Sequence, residues 1–330
     1  MSAPPDFFQN KRVLITGGIG FIGSNLARTL VEKGAHVVLV DSLIPEYGGN
    51  LFNIEDIKDR VTANISDVRD RFSMKYLVQG QDFIFNLAGQ TSHLDSMENP
   101  EMDLAINCTA QLSILETCRH HNPGVKIVFA STRQIYGKPR ALPVDEDHPL
   151  NPVDVNGINK MAAEFYHTLY NNVHGLRSCV LRLTNTIGPR MRVRDARQTF
   201  VGVWIRQLLE GRPIEVWEGQ QLRDFTYVDD VAEAMLDAAA SDASNGQVFN
   251  LGGPPPISLR DLAALMIDLN GAGEFSVRTF PAERKRIDIG DYYSDFTRIR
   301  TALGWKPRTP LRDALARTLE FYRANLSQYV

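Results

Sequence analysis

Short apolar segments alternate with amphipathic segments along most of the chain. The apolar segments are rich in valine, isoleucine, leucine and phenylalanine and end at small or polar residues, as buried strands do: 13–15, 36–40, 61–65, 83–87, 126–130 and 178–183. Apolar residues at helical spacing follow several of them, in 26–31, 104–118 and 200–209. This alternation predicts an α/β protein whose strands form a parallel sheet.

A glycine-rich turn joins the first strand to the first helix. Gly17, Gly20 and Gly23 lie three residues apart around Phe21 and Ile22. A pyrophosphate binds the free N–H groups at a helix N-terminus, and side chains on the turn would keep the backbone away from it. Asp41 ends the second strand, 18 residues beyond Gly23, where an acid accepts both ribose hydroxyls and repels a 2′-phosphate. The sequence therefore predicts a Rossmann-type doubly wound parallel sheet that binds NAD rather than NADP.

Composition narrows the functional class. The 330 residues are 43% hydrophobic and 23% charged, with a formal net charge of −3, which gives no reason to expect nucleic acid or a membrane as partner. The first ten residues lack the basic start and apolar centre of a signal peptide, so a cytoplasmic location is expected. Cys108, Cys118 and Cys179 are widely spaced and predict neither a disulfide framework nor a metal site.

Four segments carry a resemblance to a known family. The Gly-x-x-Gly-x-x-Gly turn is similar to that of the extended short-chain dehydrogenase/reductase superfamily. The segment NLAGQTSHLDSMENP resembles the one that lies along the nicotinamide ribose and the sugar in NAD-dependent nucleotide-sugar epimerases and dehydratases. Thr132 to Gly137 resembles their Ser/Thr-x-x-x-Tyr-Gly motif, and LRDFTYVDD resembles their Arg-Asp-Phe-x-x-Val-x-Asp stretch. The resemblance covers roughly residues 11–320.

The resemblance implies a set of binding residues and a division of the chain. Residues 1–184 and 227–253 would bind NAD, and 185–226 and 254–330 would form a smaller C-terminal α/β domain for the nucleotide sugar. Asp67 is equally a candidate helix N-cap. The implied cofactor contacts are Gly17, Gly20, Phe21, Ile22, Gly23, Asp41, Asp67, Val68, Leu87, Ala88, Gly89, Gln90, Asn107 and Lys160. The implied substrate contacts are Thr91, Asn185, Arg223 and Arg286, the last three at the diphosphate.

One catalytic residue of the family is missing. Its Tyr-x-x-x-Lys motif appears here as Asn156 to Lys160, so the lysine is retained and the tyrosine is replaced. The resemblance implies that Thr132 bonds the sugar and Lys160 the nicotinamide ribose, but Asn156 cannot act as a base because an amide does not titrate in water. His93 is the first candidate for that role, with Asp95 orienting it or acting alone.

Tyr136 is a further candidate base, although it matches a tyrosine that the family keeps for packing. Three functions stay open: an epimerase with an altered proton acceptor, a dehydratase or decarboxylase-like lyase, and a protein that binds NAD and a nucleotide sugar without turnover. The resemblance also implies a homodimer formed by the helices near Asp103 and Gly157. Their surplus apolar residues include Leu104, Ile106, Leu112, Ile114, Met161, Phe165 and Leu169.

Overall fold

A seven-stranded parallel sheet forms the centre of the computed structural model, which describes residues 4, 6–47, 49–253 and 255–330. In chain order its strands are β1 (Arg12–Thr16), β2 (His36–Asp41), β3 (Val61–Ile65), β4 (Phe83–Asn86), β5 (Lys126–Thr132) and β6 (Ser178–Leu183), with Val248–Asn250 as the last strand. Their spatial order places that last strand beside β6, followed by β5, β4, β1, β2 and β3. The order reverses between β1 and β4, and ligands of open parallel sheets bind at such a reversal.

Helices cover both faces of the sheet because successive side chains of a strand point to opposite sides. Val13 and Ile15 belong to one core cluster, and Leu14 between them belongs to another. The helices of the first half are α1 (Phe21–Glu32), α2 (Arg71–Leu77), α3 (His93–Glu98), α4 (Pro100–Leu104), α5 (Ala110–His121) and α6 (Val155–His174). A π-helical turn, Ala105–Thr109, joins α4 to α5.

A second core lies beyond the sheet. It contains Trp204, Leu262 and Tyr322, all buried. The short strands on this side are β7 (Asn185–Ile187), β8 (Ile214–Trp217), β9 (Leu222–Arg223), β10 (Phe225–Tyr227), β12 (Ile257–Ser258) and β13 (Phe275–Arg278). Between β10 and β12 in the chain, β11 (Val248–Asn250) is the last strand of the seven-stranded sheet. The helices of this half are α7 (Phe200–Leu209), α8 (Val228–Ala240), α9 (Leu259–Asn270), α10 (Ala282–Lys285), α11 (Thr297–Leu303) and α12 (Leu311–Asn325). The short strands pair as β7 with β10, β9 with β12 and β8 with β13.

The predicted fold class and the six predicted strands are confirmed, with ends that differ by two residues or fewer. The helix predicted over 104–118 is instead two α-helical segments separated by the π-helical turn. Across the described residues, no helix is both long and apolar enough to span a membrane.

A buried ion pair ties α6 to the sheet. Arg182 on β6 forks onto Glu164, with Nη2 at 2.7 Å from Oε2, and both side chains are almost fully buried. The other guanidinium nitrogen, Nη1, donates to the hydroxyl of Tyr136 at 2.7 Å. Removing one partner of such a pair is costly, because the remaining charge stays buried without compensation.

We predict that Glu164→Ala lowers the free energy of unfolding by about 3 kcal/mol or more, the cost of leaving the buried guanidinium of Arg182 unpaired. The double variant Glu164→Leu with Arg182→Met removes both charges and should recover much of that loss. Urea denaturation followed by circular dichroism measures both. Equal destabilisation by the single and double variants would contradict the assignment of the cost to an unpaired charge.

Candidate active site

A cavity of about 270 Å³ opens where the carboxyl ends of β1, β4 and β5 meet. It runs from the glycine turn to the start of α6. Most of the binding and catalytic residues predicted from the sequence line it: Gly17, Gly20, Phe21, Ile22, Gly23, Asp41, Asp67, Val68, Leu87, Ala88, Gly89, Gln90, Thr91, His93, Thr132, Asn156, Lys160 and Asn185. The structure therefore brings together side chains that are up to 168 positions apart in the sequence.

The glycine turn leaves no room for side chains. Gly17 has a φ of +67°, and a Cβ on Gly23 would lie 2.3 Å from the carbonyl oxygen of Gly17. The carboxylate of Asp41 accepts the backbone N–H groups of Ile19 at 3.1 Å and Leu43 at 2.9 Å. Burial raises the pKa of Asp41, and these two bonds oppose that rise. The acid thus lies directly against the turn, as a ribose-binding carboxylate should.

Asp67 lines the same end of the cavity but does not cap a helix. Its carboxylate pairs with Arg69 at 2.6 Å, and that pairing lowers its pKa. The N-cap of α2 is Asp70, whose side chain accepts the N–H of Phe72 at 3.0 Å. Of the two interpretations of Asp67, the N-cap is wrong.

The end of β4 is held open by neighbouring polar groups. The Thr16 hydroxyl accepts the N–H groups of Leu87 and Ala88, each at 3.1 Å. A Cβ on Gly89 would lie 3.0 Å from the Lys160 Nζ and 2.9 Å from the Asn107 Oδ1. The lysine and the asparagine therefore approach the backbone closely at Gly89, and a side chain there would displace them.

Asn107 supports the cavity rather than lining it. It is completely buried, and its Nδ2 donates to the carbonyl oxygen of Gln90 at 2.9 Å and to Asp103 at 3.0 Å. The π-helical turn that carries Asn107 thus directs its Nδ2 toward the loop. Its Oδ1 has no hydrogen-bond partner among the described residues, so the contact between Asn107 and the cofactor stays a prediction.

Lys160 and Thr132 lie at the other end of the cavity. The Lys160 ammonium donates to the carbonyl oxygen of Ala130 at 3.1 Å and lies 4.8 Å from the ring centre of Phe129. Burial lowers the pKa of Lys160 to about 8, against the opposing effect of Asp103 and Glu164. Thr132 is the last residue of β5, so its hydroxyl emerges at the edge of the sheet beside the lysine.

Asn156 belongs to a buried network of amides around one carboxylate. Its Nδ2 donates to the carbonyl oxygen of Gln90 at 2.8 Å and to Asp103 Oδ2 at 3.1 Å. Asn159 donates to the other Asp103 oxygen at 2.8 Å, and Asn107 is the third amide donor. Gly157 allows the start of α6 to pack against Pro152, whose Cβ would lie 2.8 Å from an added Cβ.

His93 lies at the cavity mouth, paired with an acid that differs from the predicted one. Its Nδ1 is 3.0 Å from Oδ2 of Asp154, which is completely buried, whereas His93 is 39% exposed. Asp95 instead pairs with Arg197 at 2.7 Å. The prediction that Asp95 orients His93 is wrong, because Asp95 lies within α3 and points toward the arginine-rich segment after β7.

Tyr136 is not a candidate base in this fold. It is completely buried, and its hydroxyl is bonded to Asn250 and Arg182, each at 2.7 Å. Burial raises its pKa to about 12. The side chain packs in a cluster with Ile135 and Tyr292, which matches its expected packing role.

A second and larger cavity, of about 780 Å³, continues from the first into the smaller core. Arg223 is buried there, 3.3 Å from Asp288, and burial lowers its pKa to about 10. Asn185 reaches both cavities. Arg286 does not belong to this group: it is exposed, and the chain presents residues 287–289 to the cavity instead. The predicted convergence of Asn185, Arg223 and Arg286 is corrected accordingly.

Three residues of the site were not found from the sequence. Asp154 caps α6 and pairs with His93, and a Pro-x-Asp sequence before a helical segment was the available signal. Asp103 accepts hydrogen bonds from three amide side chains, and the sequence indicated only that it lies at the start of a helix. Arg133 follows Thr132 directly and lines both cavities.

The first cavity fits NAD on its own features. Its glycine turn would receive the pyrophosphate, Asp41 the adenosine ribose and Lys160 the nicotinamide ribose. The buried Ser131 hydroxyl and Asn107 Oδ1 have no bonding partner in the described chain and are available near the lysine end. A doubly wound sheet with this turn, acid and lysine defines a dinucleotide-binding protein of the short-chain dehydrogenase/reductase type.

The chain belongs to the NAD dependent epimerase/dehydratase family, which matches residues 13–252. The UDP-glucose 4-epimerase of Mycolicibacterium smegmatis is 32% identical over 323 residues, 96% of this chain and 100% of that protein. UDP-glucuronic acid decarboxylase 1 of Xenopus tropicalis is 31% identical over 329 residues, 96% of this chain and 73% of that protein. The crystal structure of UDP-glucose 4-epimerase from Thermotoga maritima with UDP-glucose has a TM-score of 0.87 at 28% identity, covering 96% and 99%. The predicted family and NAD as cofactor are confirmed.

We predict that Asp41→Ala reduces the preference for NAD over NADP. The substitution removes the acceptor for the ribose hydroxyls and the negative charge that repels a 2′-phosphate. Titration calorimetry with both cofactors gives the ratio of dissociation constants. Gly23→Ala is the control, since its Cβ would crowd the turn and weaken both cofactors alike. An unchanged ratio in Asp41→Ala would contradict the role of this acid.

Proposed function

We propose that this protein is an NAD-dependent nucleotide-sugar epimerase in which His93 replaces the missing tyrosine as proton acceptor. The observation that carries the proposal is the pairing of His93 with the buried Asp154 at the mouth of the cofactor cavity. Asp154 also accepts Gln134 Nε2 and the Gly157 N–H, each at 2.7 Å. His93 Nδ1 lies within reach of this carboxylate but is not aligned for a hydrogen bond, so a small rotation of the ring would let Nδ1–H donate to Asp154. That bond would fix the Nδ1–H tautomer of the imidazole and leave Nε2 to accept a proton.

The electrostatics of Asp154 support this role. Burial acts to raise its pKa, but the neighbouring His93, together with the Gly157 and Gln134 bonds, outweighs burial and holds that pKa below its usual value. Asp154 is therefore ionised at neutral pH and stabilises an imidazolium formed at His93.

The proposed reaction conserves atoms and electrons. The glycine turn, Asp41 and Lys160 would hold NAD, which would supply reversible hydride transfer at the carbinol carbon of the sugar, with loss from one face and return to the other. His93 Nε2 takes the hydroxyl proton as the ketone forms and gives it back as the alcohol re-forms. Thr132 donates to the reacting oxygen, and the Lys160 ammonium holds the nicotinamide ribose in place. The net result is inversion at one carbon with no other change.

A dehydratase or lyase is the second candidate, since the chain also resembles a UDP-glucuronic acid decarboxylase. Elimination of water requires an acid and a base at two different carbons. Within the described residues, the carboxylates that line the cofactor cavity are Asp41 and Asp67, both at its adenosine end. A single proton carrier at the sugar end is sufficient for epimerisation, which is why we favour that reaction. A protein that only bound its ligands would have no need for Lys160 at the ribose.

We predict that His93→Ala lowers the turnover number by about 10² to 10⁴, the usual contribution of a general base. Asp154→Asn should lower it by a smaller factor, because the imidazole loses its orienting charge and its tautomer. Asp95→Asn is the matched control: it removes a carboxylate two residues away that pairs with Arg197 instead. Rates are measured on a panel of UDP- and dTDP-hexoses by chromatography of the two epimers.

Asn156→Tyr distinguishes two possibilities: a site rearranged around the asparagine, which we call a rebuilt site, and a site in which only the tyrosine has been lost. In a rebuilt site the phenol removes a donor from the buried Asp103 and lowers both activity and stability. Asn156→Ala should lower turnover only modestly, because Asn159 and Asn107 still donate to that carboxylate. Increased activity in Asn156→Tyr, together with full activity in His93→Ala, would contradict the proposed proton acceptor.

We further propose that the protein is a homodimer. Apolar side chains about half exposed form one stripe along α6 and continue onto α4: Leu104, Ile158, Phe165, Leu169 and Val173. An apolar patch of this kind on a monomer indicates an interaction surface. Ile106 and Ile114, which the sequence also suggested for this surface, are buried in the core of the subunit.

We predict that Phe165→Glu converts the dimer into monomers, because a carboxylate at the centre of the stripe would be buried unpaired on association. Phe72→Glu is the matched control, since Phe72 is 82% exposed on α2, away from that stripe. Light scattering at micromolar concentration measures the mass of each. A native protein that is already monomeric would refute the dimer.

A further inference from the structure

Arg133 lies where the two cavities join. It is one of six described residues that line both, with His93, Gln134, Asn185, Gln198 and Thr199. Thr132, its neighbour in sequence, lines only the cofactor cavity, and Arg223 lines only the larger one. A nucleotide sugar that reaches the nicotinamide must place its sugar ring at this junction and its diphosphate further out. Arg133 therefore faces the sugar.

The guanidinium of Arg133 has no acidic partner in the described part of the chain. Its Nη2 donates to Asn185 Oδ1 at 3.2 Å, and its plane lies over the ring of Tyr292, with Cζ 5.2 Å from the ring centre. Its Nη1 is buried and makes no hydrogen bond with any described residue. Buried charges in proteins are normally paired, because an unpaired one loses its hydration without compensation.

Four of the other five arginines of the larger cavity have an acidic partner: Arg223 pairs with Asp288, Arg197 with Asp95 and Asp195, and both Arg206 and Arg212 with Glu210. Arg194 has no ion pair among the described residues, but it is exposed to solvent, whereas Nη1 of Arg133 is buried. Burial lowers the pKa of Arg133, and the nearby Tyr292, Asp224 and Asp288 only partly offset this. Six arginines and four acidic residues line this cavity, so its formal charge is +2 with histidine neutral. The unpaired cation is thus part of a cavity with surplus positive charge.

We propose that Arg133 binds a carboxylate on the sugar ring, so that the preferred substrate is a nucleoside-diphosphate hexuronate rather than a neutral hexose. This inference rests on the proposed function, because the sugar must lie at the junction. A guanidinium presents a planar fork that matches the two oxygens of a carboxylate. Asn185 and Tyr292 fix its plane, and Nη1 is left for the ligand.

The diphosphate is the other anion that Arg133 could meet. It would lie in the larger cavity, where Arg223 and the arginines after β7 already supply positive charge. The sugar also lies between the nicotinamide and the diphosphate, so it keeps the phosphates away from Arg133. A negative group at the junction must therefore belong to the sugar.

The test compares binding of anionic and neutral sugars to the NAD-loaded protein by titration calorimetry. The probes are UDP-glucuronate and UDP-galacturonate, with UDP-glucose and UDP-galactose as neutral counterparts. We expect the native protein to bind the uronates more tightly. Arg133→Gln should weaken uronate binding by about 30-fold or more, as when one partner of a buried charge pair is removed, with little change for the neutral sugars.

Arg206→Gln is the matched control, since it removes the same charge from the same cavity but from an arginine already paired with Glu210. It should leave the ratio of uronate to neutral-sugar affinity unchanged. Equal affinities for both sugars in the native protein, or an unchanged ratio in Arg133→Gln, would overturn the inference and leave the proposed function standing. Failure of all four sugars, and of the UDP- and dTDP-hexoses of the activity panel, to bind would overturn the proposed function as well.

Discussion

The hydrogen bonds of the buried Asp103 carboxylate are the interaction on which the arrangement of the site depends. This carboxylate sits on α4 with almost no exposure and receives amide donors from Asn107, Asn156 and Asn159. A carboxylate in that position is tolerated only if its oxygens are fully bonded. Meeting this requirement draws α4, the π-helical turn and the first turn of α6 together. Lys160 follows Asn159 directly, so the same bonds fix where its ammonium lies.

This arrangement explains why an asparagine can stand in a position that the family gives to tyrosine. The amide of Asn156 donates hydrogen bonds to Asp103 and to the carbonyl oxygen of Gln90, both inside the protein. In the reaction we propose, proton transfer is carried out instead by His93, whose Nδ1 lies 3.0 Å from Asp154 at the cavity mouth. At this end of the cavity, Asn156 therefore has a packing role, and the proposed proton transfer belongs to a different residue, His93.

Most of the fold and the cofactor end of the site could be predicted from sequence because both depend on local patterns. Apolar runs define the strands, and the glycine spacing with Asp41 defines the turn and its neighbouring acid. The sugar end could not be predicted in the same way. The partners of His93, Asn156 and Arg197 lie 61, 53 and 102 residues away, and no local spacing shows which acid meets which base. The prediction for Arg286 was wrong for a related reason. It lies in an irregular segment, where no regular spacing shows which residues face inward.

The π-helical turn at Ala105–Thr109 lies just after two neighbouring residues, Asp103 and Leu104, that face different surroundings. The number of residues in the helix formed by α4, the turn and α5 therefore determines the position of both. Asp103 faces inward to the amides, while Leu104, beside it, is 46% exposed on the apolar stripe. Deleting one residue from the helix while the π-helical turn is kept would rotate the segment before the deletion by about 100° relative to α5. Both residues would then leave their positions together. Insertions and deletions here therefore act on the candidate active site and on the apolar stripe in a single evolutionary step, so neither can change independently of the other.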